Sequence, residues 1–313
     1  MKKILLIVDP GIDDSFAIMY ALLSPKIDIV GIVCQFGNVS REDALRNSSF
    51  LLNLARREDI PLINGASAPL SGLPPEHYYD IHGTHGMGEL NIKNTMFKNI
   101  YPFHKIYDLI TKYGKDLTIV SLSPLTSLAL TYLHAGSNIR DVKEIFVMGG
   151  AFLVPGNASH LAEANIYGDP HAAKIVTTHG EGITFVPLNV SHRSIVSKEM
   201  IHYLSLQTDA PFSPILKPLM DYYSEQYQLS MPGINGAPLH DVTLLSILTN
   251  EDHYTTVNRQ IFVDTDDLTK GLTHADFRPV PEMVDDHPIN KIVLDINVEH
   301  LLNDFMKVMN SSS

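Results

Sequence analysis

Short, almost uninterrupted apolar runs alternate with longer stretches of helical periodicity along most of this chain, and that alternation constrains the fold more than any other feature. The runs Lys3–Val8, Ile27–Gln35, Leu117–Leu122, Glu144–Met148 and Ile183–Leu188 are continuous rather than alternating. Strands covered on both faces need this pattern. Between them, Asp14–Leu23, Arg41–Arg57, Pro102–Tyr113, Pro124–His134 and His171–His179 read as helices. In the second, Ala44, Leu45, Phe50, Leu51, Leu52 and Leu54 recur at helical spacing. Strand–helix repetition predicts an α/β fold, an open and mostly parallel sheet with crossover helices on its faces. Ser197 to Asn250 is mostly helical and reads as a helical insertion. Thr256–Asp264 and Lys291–Asn297 return to β character, and Glu299–Met309 reads as a last helix. Without a long linker, low-complexity tract or internal repeat, residues 1–313 are expected to form one α/β domain.

The net charge of −12 leaves no basic face for a nucleic-acid backbone. One cysteine, Cys34, excludes an intramolecular disulfide framework and a thiolate zinc site. The apolar run after Lys3 ends at Asp9, too soon for a signal peptide. No segment approaches the ~20 apolar residues of a membrane-spanning helix. These features predict a soluble, unprocessed, cytoplasmic protein.

The first strand ends in "VDPGIDD", three carboxylates in six positions with no Lys or Arg between Lys3 and Lys26. Two such charges about 4 Å apart repel by roughly 1 kcal/mol in water and about 4 at an effective dielectric near 20. The loop lies at the carboxyl end of a strand, where open α/β sheets bind ligands. A Pro-Gly turn with an Asp N-cap accounts for Asp13 or Asp14 through the helix dipole. It leaves Asp9 unexplained, because a carboxylate at a buried strand end needs a partner. A hard divalent cation, Ca²⁺ or Mg²⁺, accounts for all three.

Other segments are ambiguous singly. Asn157, Glu163 and Asn165 follow the strand ending at Met148 and suit neutral hydroxyls, or form an ordinary polar loop. His240 and Asp241 open an apolar helix, as a site pair or as a capping Asp beside a stray His. Thr126 fits an ST-turn, and "HGTHGMG" is Gly-rich enough to be purely structural.

Taken together and in this order, "IVDPGIDD", "FGNVS", "PLTSLAL", "MGGAF" with "AEANIYGDP", "VPLNVSH" and "GAPLHD" resemble the nucleoside hydrolases, the inosine-uridine preferring ribonucleoside N-glycohydrolases. The resemblance runs from Lys3 to the last helix. It implies a Rossmann-like nucleoside hydrolase fold and Ca²⁺-dependent cleavage of a ribonucleoside to base and ribose. It also implies a homodimer or homotetramer. It makes Asp9, Asp14, Asp241 and the backbone carbonyl of Thr126 the Ca²⁺ ligands, with Asp9 also the general base. Asp13, Asn157, Glu163 and Asn165 become ribose binders, with Asn38 nearby. His240 assists departure of the base, His82 lines the base pocket, and Tyr223 and Tyr227 close over it. That tyrosine pair, one helical turn apart, reads equally as core or surface aromatics.

The chain departs from the family pattern at Ile7, His85 and Asn189, where carboxylates are usual, and at Ala164, where a Phe is common. The lost carboxylates admit a non-catalytic nucleoside-binding member. A metal-dependent phosphohydrolase is a third possibility, but no basic or Gly-rich phosphate cradle accompanies the acids. The absence of Trp argues against a purine-type base sandwich and for an inosine-uridine or pyrimidine type.

Overall fold

A computed structural model describes residues 1–92, 99–207 and 210–311. In chain order the strands are β1 (Lys2–Val8), β2 (Ile27–Cys34), β3 (Leu62–Asn64), β4 (Ile100–Tyr101), β5 (Leu117–Ser121), β6 (Glu144–Met148), β7 (Thr184–Val186), β8 (Ile195–Val196), β9 (Ala237–Pro238), β10 (Tyr254–Arg259), β11 (Phe262–Val263), β12 (Thr273–His274) and β13 (Asn290–Ile296). The helices are α1 (Ile12–Leu23), α2 (Arg41–Leu54), α3 (Tyr79–His82), α4 (Lys105–Tyr113), α5 (Thr126–Ala135), α6 (Ala164–Gly168), α7 (Pro170–His179), α8 (Leu188–Ser191), α9 (Lys198–Ser205), α10 (Ser213–Ser230), α11 (His240–Thr249) and α12 (Val298–Met309).

Nine of the described strands form one open sheet in the order β10-β13-β7-β6-β5-β1-β2-β3-β4. Every pairing in it is parallel except β10 with β13 at one edge. The continuous apolar runs have the expected cause. Ile4, Leu6 and Val8 of β1 enter one core, which contains residues of α1, α2, α10, α11 and α12. Leu5 and Ile7 enter a second core with residues of α4, α5 and α7. The chain winds outward from β1 to β4, then returns to β5 on the other side of β1. That reversal opens a crevice at the carboxyl ends of β1 and β5.

The ends of several elements differ from the sequence reading. The helix after β1 is capped by Gly11 rather than an Asp, and Asp14 instead accepts from the Gly11 amide at 3.3 Å. The helix read from Pro102 starts at Lys105. The strand read over Ile183–Leu188 stops at Val186, because Pro187 lacks an N–H and Leu188 begins α8. The strand read over Thr256–Asp264 is divided. β10 ends at Arg259, and β11 pairs with β12 in a separate two-stranded sheet. At the break, the Gln260 side chain bonds the backbone of Val284 and His287, so side-chain bonds replace a ladder. The helical insertion contains α9 and α10, bracketed by the antiparallel β8–β9 pair that the sequence did not announce.

Candidate active site

Four carboxylates from distant parts of the chain are buried at the switch point. Asp9 ends β1, Asp13 and Asp14 lie in the first turn of α1, and Asp241 lies in the first turn of α11. Oxygens of Asp13, Asp14 and Asp241 lie within 4.8 Å of one another. The expected ligand set had Asp9 in place of Asp13, so the tightest triad differs from it by one member. Asp9 is nonetheless adjacent, since its amide donates to Asp14 Oδ1 at 3.2 Å. Its own Oδ2 accepts from the Asn38 amide at 2.5 Å. Such close packing requires Gly37, where a Cβ would fall 1.8 Å from Asp9 Oδ2.

Among the described residues, no Lys or Arg lines the cavity beside these acids. Burial, with the neighbouring Asp14 charge, pushes Asp9 well above the usual carboxylate range against the Asn38 amide bond. Burial raises Asp13 to about 6. Burial and the Asp13 charge raise Asp14 to about 8. Asp241 is raised by burial, then by Asp14, Asp13 and Asp9. Asp9 Oδ1 and Asp13 Oδ1 are buried without a hydrogen-bond partner. Buried, orphaned, acceptor-only oxygens converging from several chain segments fit a hard divalent cation.

A cavity of about 370 Å³ opens over this cluster. Asp13, Asn38, His82, Asn157, Glu163, Asn165, Tyr223, Tyr227, His240 and Asp241 all line it, as expected. Asp9, Asp14 and Thr126 are buried and do not. The Thr126 hydroxyl makes no local turn but donates to Asp169 Oδ2 at 2.7 Å.

One side of the cavity is polar. Glu163 caps α6, and its oxygens accept from the amides of Asn165, Gly150 and Ile166 at 2.8, 3.0 and 3.2 Å. Burial outweighs these bonds and raises it to about 7. Asn165 spends its amide hydrogens on the Leu122 and Met148 carbonyls, leaving its own oxygen available. Asn157 is held through its oxygen by the Ala164 amide at 3.0 Å, leaving its nitrogen available. Asn38 donates to Asp14 Oδ2 at 3.0 Å.

Aromatic residues line the cavity as well. His82 stacks on Tyr223 at 5.5 Å, and Tyr223 meets Tyr227 edge-on at 4.9 Å. His82 Nδ1 accepts from the Ile12 amide at 3.1 Å, and burial lowers the imidazole to about 3. It is therefore neutral and carries its proton on Nε2. His240 bonds Ser191 Oγ through Nδ1 at 2.9 Å and the Tyr227 hydroxyl through Nε2 at 3.0 Å. Burial, with His192 and His82 nearby, lowers it well below the usual histidine range. Tyr78, Leu122, Met148, His192 and Met231 also line the cavity and were not anticipated. His192 lies in the "VPLNVSH" segment, the one signal that pointed to it. Of the departures, Ala164 lines the cavity; Ile7, His85 and Asn189 do not. His85 instead faces Asp43 at 3.2 Å, and Asn189 bonds the Val293 carbonyl.

Fold and site together define an α/β protein with a small-molecule pocket at its topological switch point, lined by acidic, amide and aromatic side chains over a carboxylate cluster that could hold a metal ion. Residues 4–303 match the family described as inosine-uridine preferring nucleoside hydrolase. The chain belongs to that family. It is 33% identical over 279 residues to uridine nucleosidase 1 of Arabidopsis thaliana, covering 88% of this chain and 82% of that one. It is also 33% identical over 279 residues to the pyrimidine-specific ribonucleoside hydrolase RihA of Escherichia coli O9:H4 (strain HS), covering 88% of each. Among solved structures, the plant nucleoside hydrolase PpNRh1 superposes with a TM-score of 0.92 at 30% identity over 99% of both chains. Among the described residues, no helix is long and apolar enough to cross a membrane.

Proposed function

We propose that this protein is a Ca²⁺-dependent ribonucleoside N-glycohydrolase of the inosine-uridine or pyrimidine type. One observation carries the reading: the orphaned Asp13 carboxylate, with the buried Asp9 close by, and the aromatic group of His82, Tyr223 and Tyr227 meet at the same cavity. A nucleoside has the matching polarity, with a hydroxyl-rich sugar at one end and a flat base at the other.

In this reading Asp9, Asp14, Asp241 and the Thr126 carbonyl hold Ca²⁺. Bound there, the ion supplies positive charge to the acids and acidifies a neighbouring water. Asp9 accepts the proton that this water loses as it adds to C1′. Asp13, Glu163, Asn157 and Asn165 fix the ribose hydroxyls, with Asn38 beside them, so that C1′ stays in line with the water. Three of roughly four acceptor positions on ionised Glu163 are already taken, so it offers the sugar about one. The C1′–N bond breaks through an oxocarbenium-like ribosyl centre, and its electron pair leaves with the base. His82, Tyr223 and Tyr227 enclose the base. His240, neutral by burial, stabilises the departing base as a hydrogen-bond donor. The reading extends to a cytoplasmic homodimer or homotetramer, which light scattering coupled to size exclusion checks.

The carboxylates missing at Ile7, His85 and Asn189 point to a non-catalytic alternative, but all three positions lie off the cavity wall. The purified protein is incubated with uridine, cytidine and inosine, with Ca²⁺ or with EDTA, and free ribose is measured. Ribose release that EDTA suppresses is expected; none from any nucleoside sinks the proposal. Asp9→Asn should lower kcat by about 10³-fold, on the scale of a lost general base.

A further inference from the structure

Tyr227, His240 and Ser191 form a chain of hydrogen-bonding groups beside the cavity. Tyr227 reaches His240 Nε2 at 3.0 Å, and His240 Nδ1 reaches Ser191 Oγ at 2.9 Å. All these groups are buried except the partly exposed Tyr227. A hydroxyl has a single hydrogen to give, and a neutral imidazole carries one N–H. With Ser191 donating to Nδ1, that N–H sits on Nε2, facing the Tyr227 oxygen.

We propose that Ser191 is a positioning residue for departure of the base: its hydroxyl donates to His240 Nδ1 and so holds the Nε2–H toward the cavity. The inference rests on the nucleoside-cleaving reading above. Ser191 lies at the end of α8, on a different element from the histidine it orients. His240 is pinned at both ring nitrogens, which prevents the ring from flipping. As the C1′–N bond breaks, its electron pair localises on the base, and the Nε2–H is shared between the Tyr227 oxygen and that anion without leaving the imidazole. The proton released by the attacking water balances the base. Without Ser191, either tautomer becomes accessible, and the Nδ1–H form presents a lone pair to the developing negative charge.

The test compares uridine with 4-nitrophenyl β-ribofuranoside, whose leaving anion needs no hydrogen bond. Ser191→Ala should lose about 10–100-fold in kcat on uridine with KM within about threefold, and less than about threefold on the nitrophenyl riboside. Ser191→Thr should restore uridine turnover. Equal losses on both substrates, or no loss on either, overturn the proposal. If Ser191→Ala does not fold, Ser191→Cys keeps the volume, weakens the bond and is read the same way. Long-range ¹⁵N–¹H correlation spectra of histidine-labelled, Ca²⁺-loaded protein give a readout independent of turnover. His240 protonated on Nε2 in wild type, and losing that preference in Ser191→Ala, supports the role. Protonation on Nδ1 in wild type refutes it, even if no nucleoside is cleaved and the functional reading has failed separately.

Discussion

Gly37 shows how tightly the acidic site is built at the scale of single residues. Any side chain there would meet Asp9 Oδ2 at 1.8 Å. Gly37→Ala must displace either Asp9 or the Asn38 amide that bonds it. We expect a stability loss of about 1–3 kcal/mol, the usual cost of overpacking, measured by urea unfolding. Ribose release should fall in parallel by more than about 10-fold, as misplacement of a reacting group predicts; wild-type turnover in this variant would contradict the placement of Asp9. Ile7 is the opposite case. The family pattern suggested restoring an acid there, yet Ile7 is 1% exposed in the second core, beside Ser121 on the neighbouring strand. Ile7→Asp buries a carboxylate among aliphatic groups and should cost about 3 kcal/mol in the same unfolding assay.

Among the elements, Asp169 ties three segments together, a role that its place before Pro170 in "AEANIYGDP" does not reveal. Its Oδ1 caps α7 through the Ala172 amide at 3.0 Å. Its Oδ2 accepts from Thr126 at the start of α5 and from the Leu70 amide at 2.8 Å. Asp169→Ala removes the cap and strands two buried donors, a combined cost of about 3 kcal/mol. It should also weaken Ca²⁺ affinity, measured by calorimetry, because Thr126 loses its anchor. Asp169→Asn keeps one of the two acceptor oxygens, enough for the Ala172 cap or for the Thr126 and Leu70 donors, and should cost less; equal losses would deny the cap its role. Helices were more legible than strands. β3 and β4 are three and two residues long, too short for a periodic signal. β10 and β11 read as one run because the break at Gln260 depends on a loop distant in sequence.

Across the whole molecule, the four carboxylates make stability, pH and cation occupancy interdependent. Burial raises Asp13 from 3.8 to about 6 and Asp14 from 3.8 to about 8, and moves Asp9 and Asp241 upward as well. In the cation-free protein the unfolded chain releases these protons at lower pH than the folded one. Stability is therefore unaffected below the unfolded value and falls as pH rises from about 4 to about 8. Ca²⁺ binding requires the deprotonated acids, so its stabilising effect grows over the same window. The difference in Tm between Ca²⁺-loaded and EDTA-treated protein should widen between pH 5 and pH 8. A constant difference by calorimetry would mean that the carboxylates do not compete with protons for the ion.

The amino-acid sequence alone determined the parallel sheet, because strands buried on both faces must be continuously apolar, as Ile4 to Val8 are. It also required that the repulsion among Asp9, Asp13 and Asp14 be offset or the loop lie open to solvent, because no Lys or Arg stands between Lys3 and Lys26. Only the tertiary structure decided that the three are buried and what meets them. Asp241 reaches Asp13 and Asp14 from α11, and His240 meets Ser191 across 49 positions of chain. Such meetings depend on where helices settle on a sheet. Local periodicity records which face of an element is buried, but not which distant side chain it is buried against.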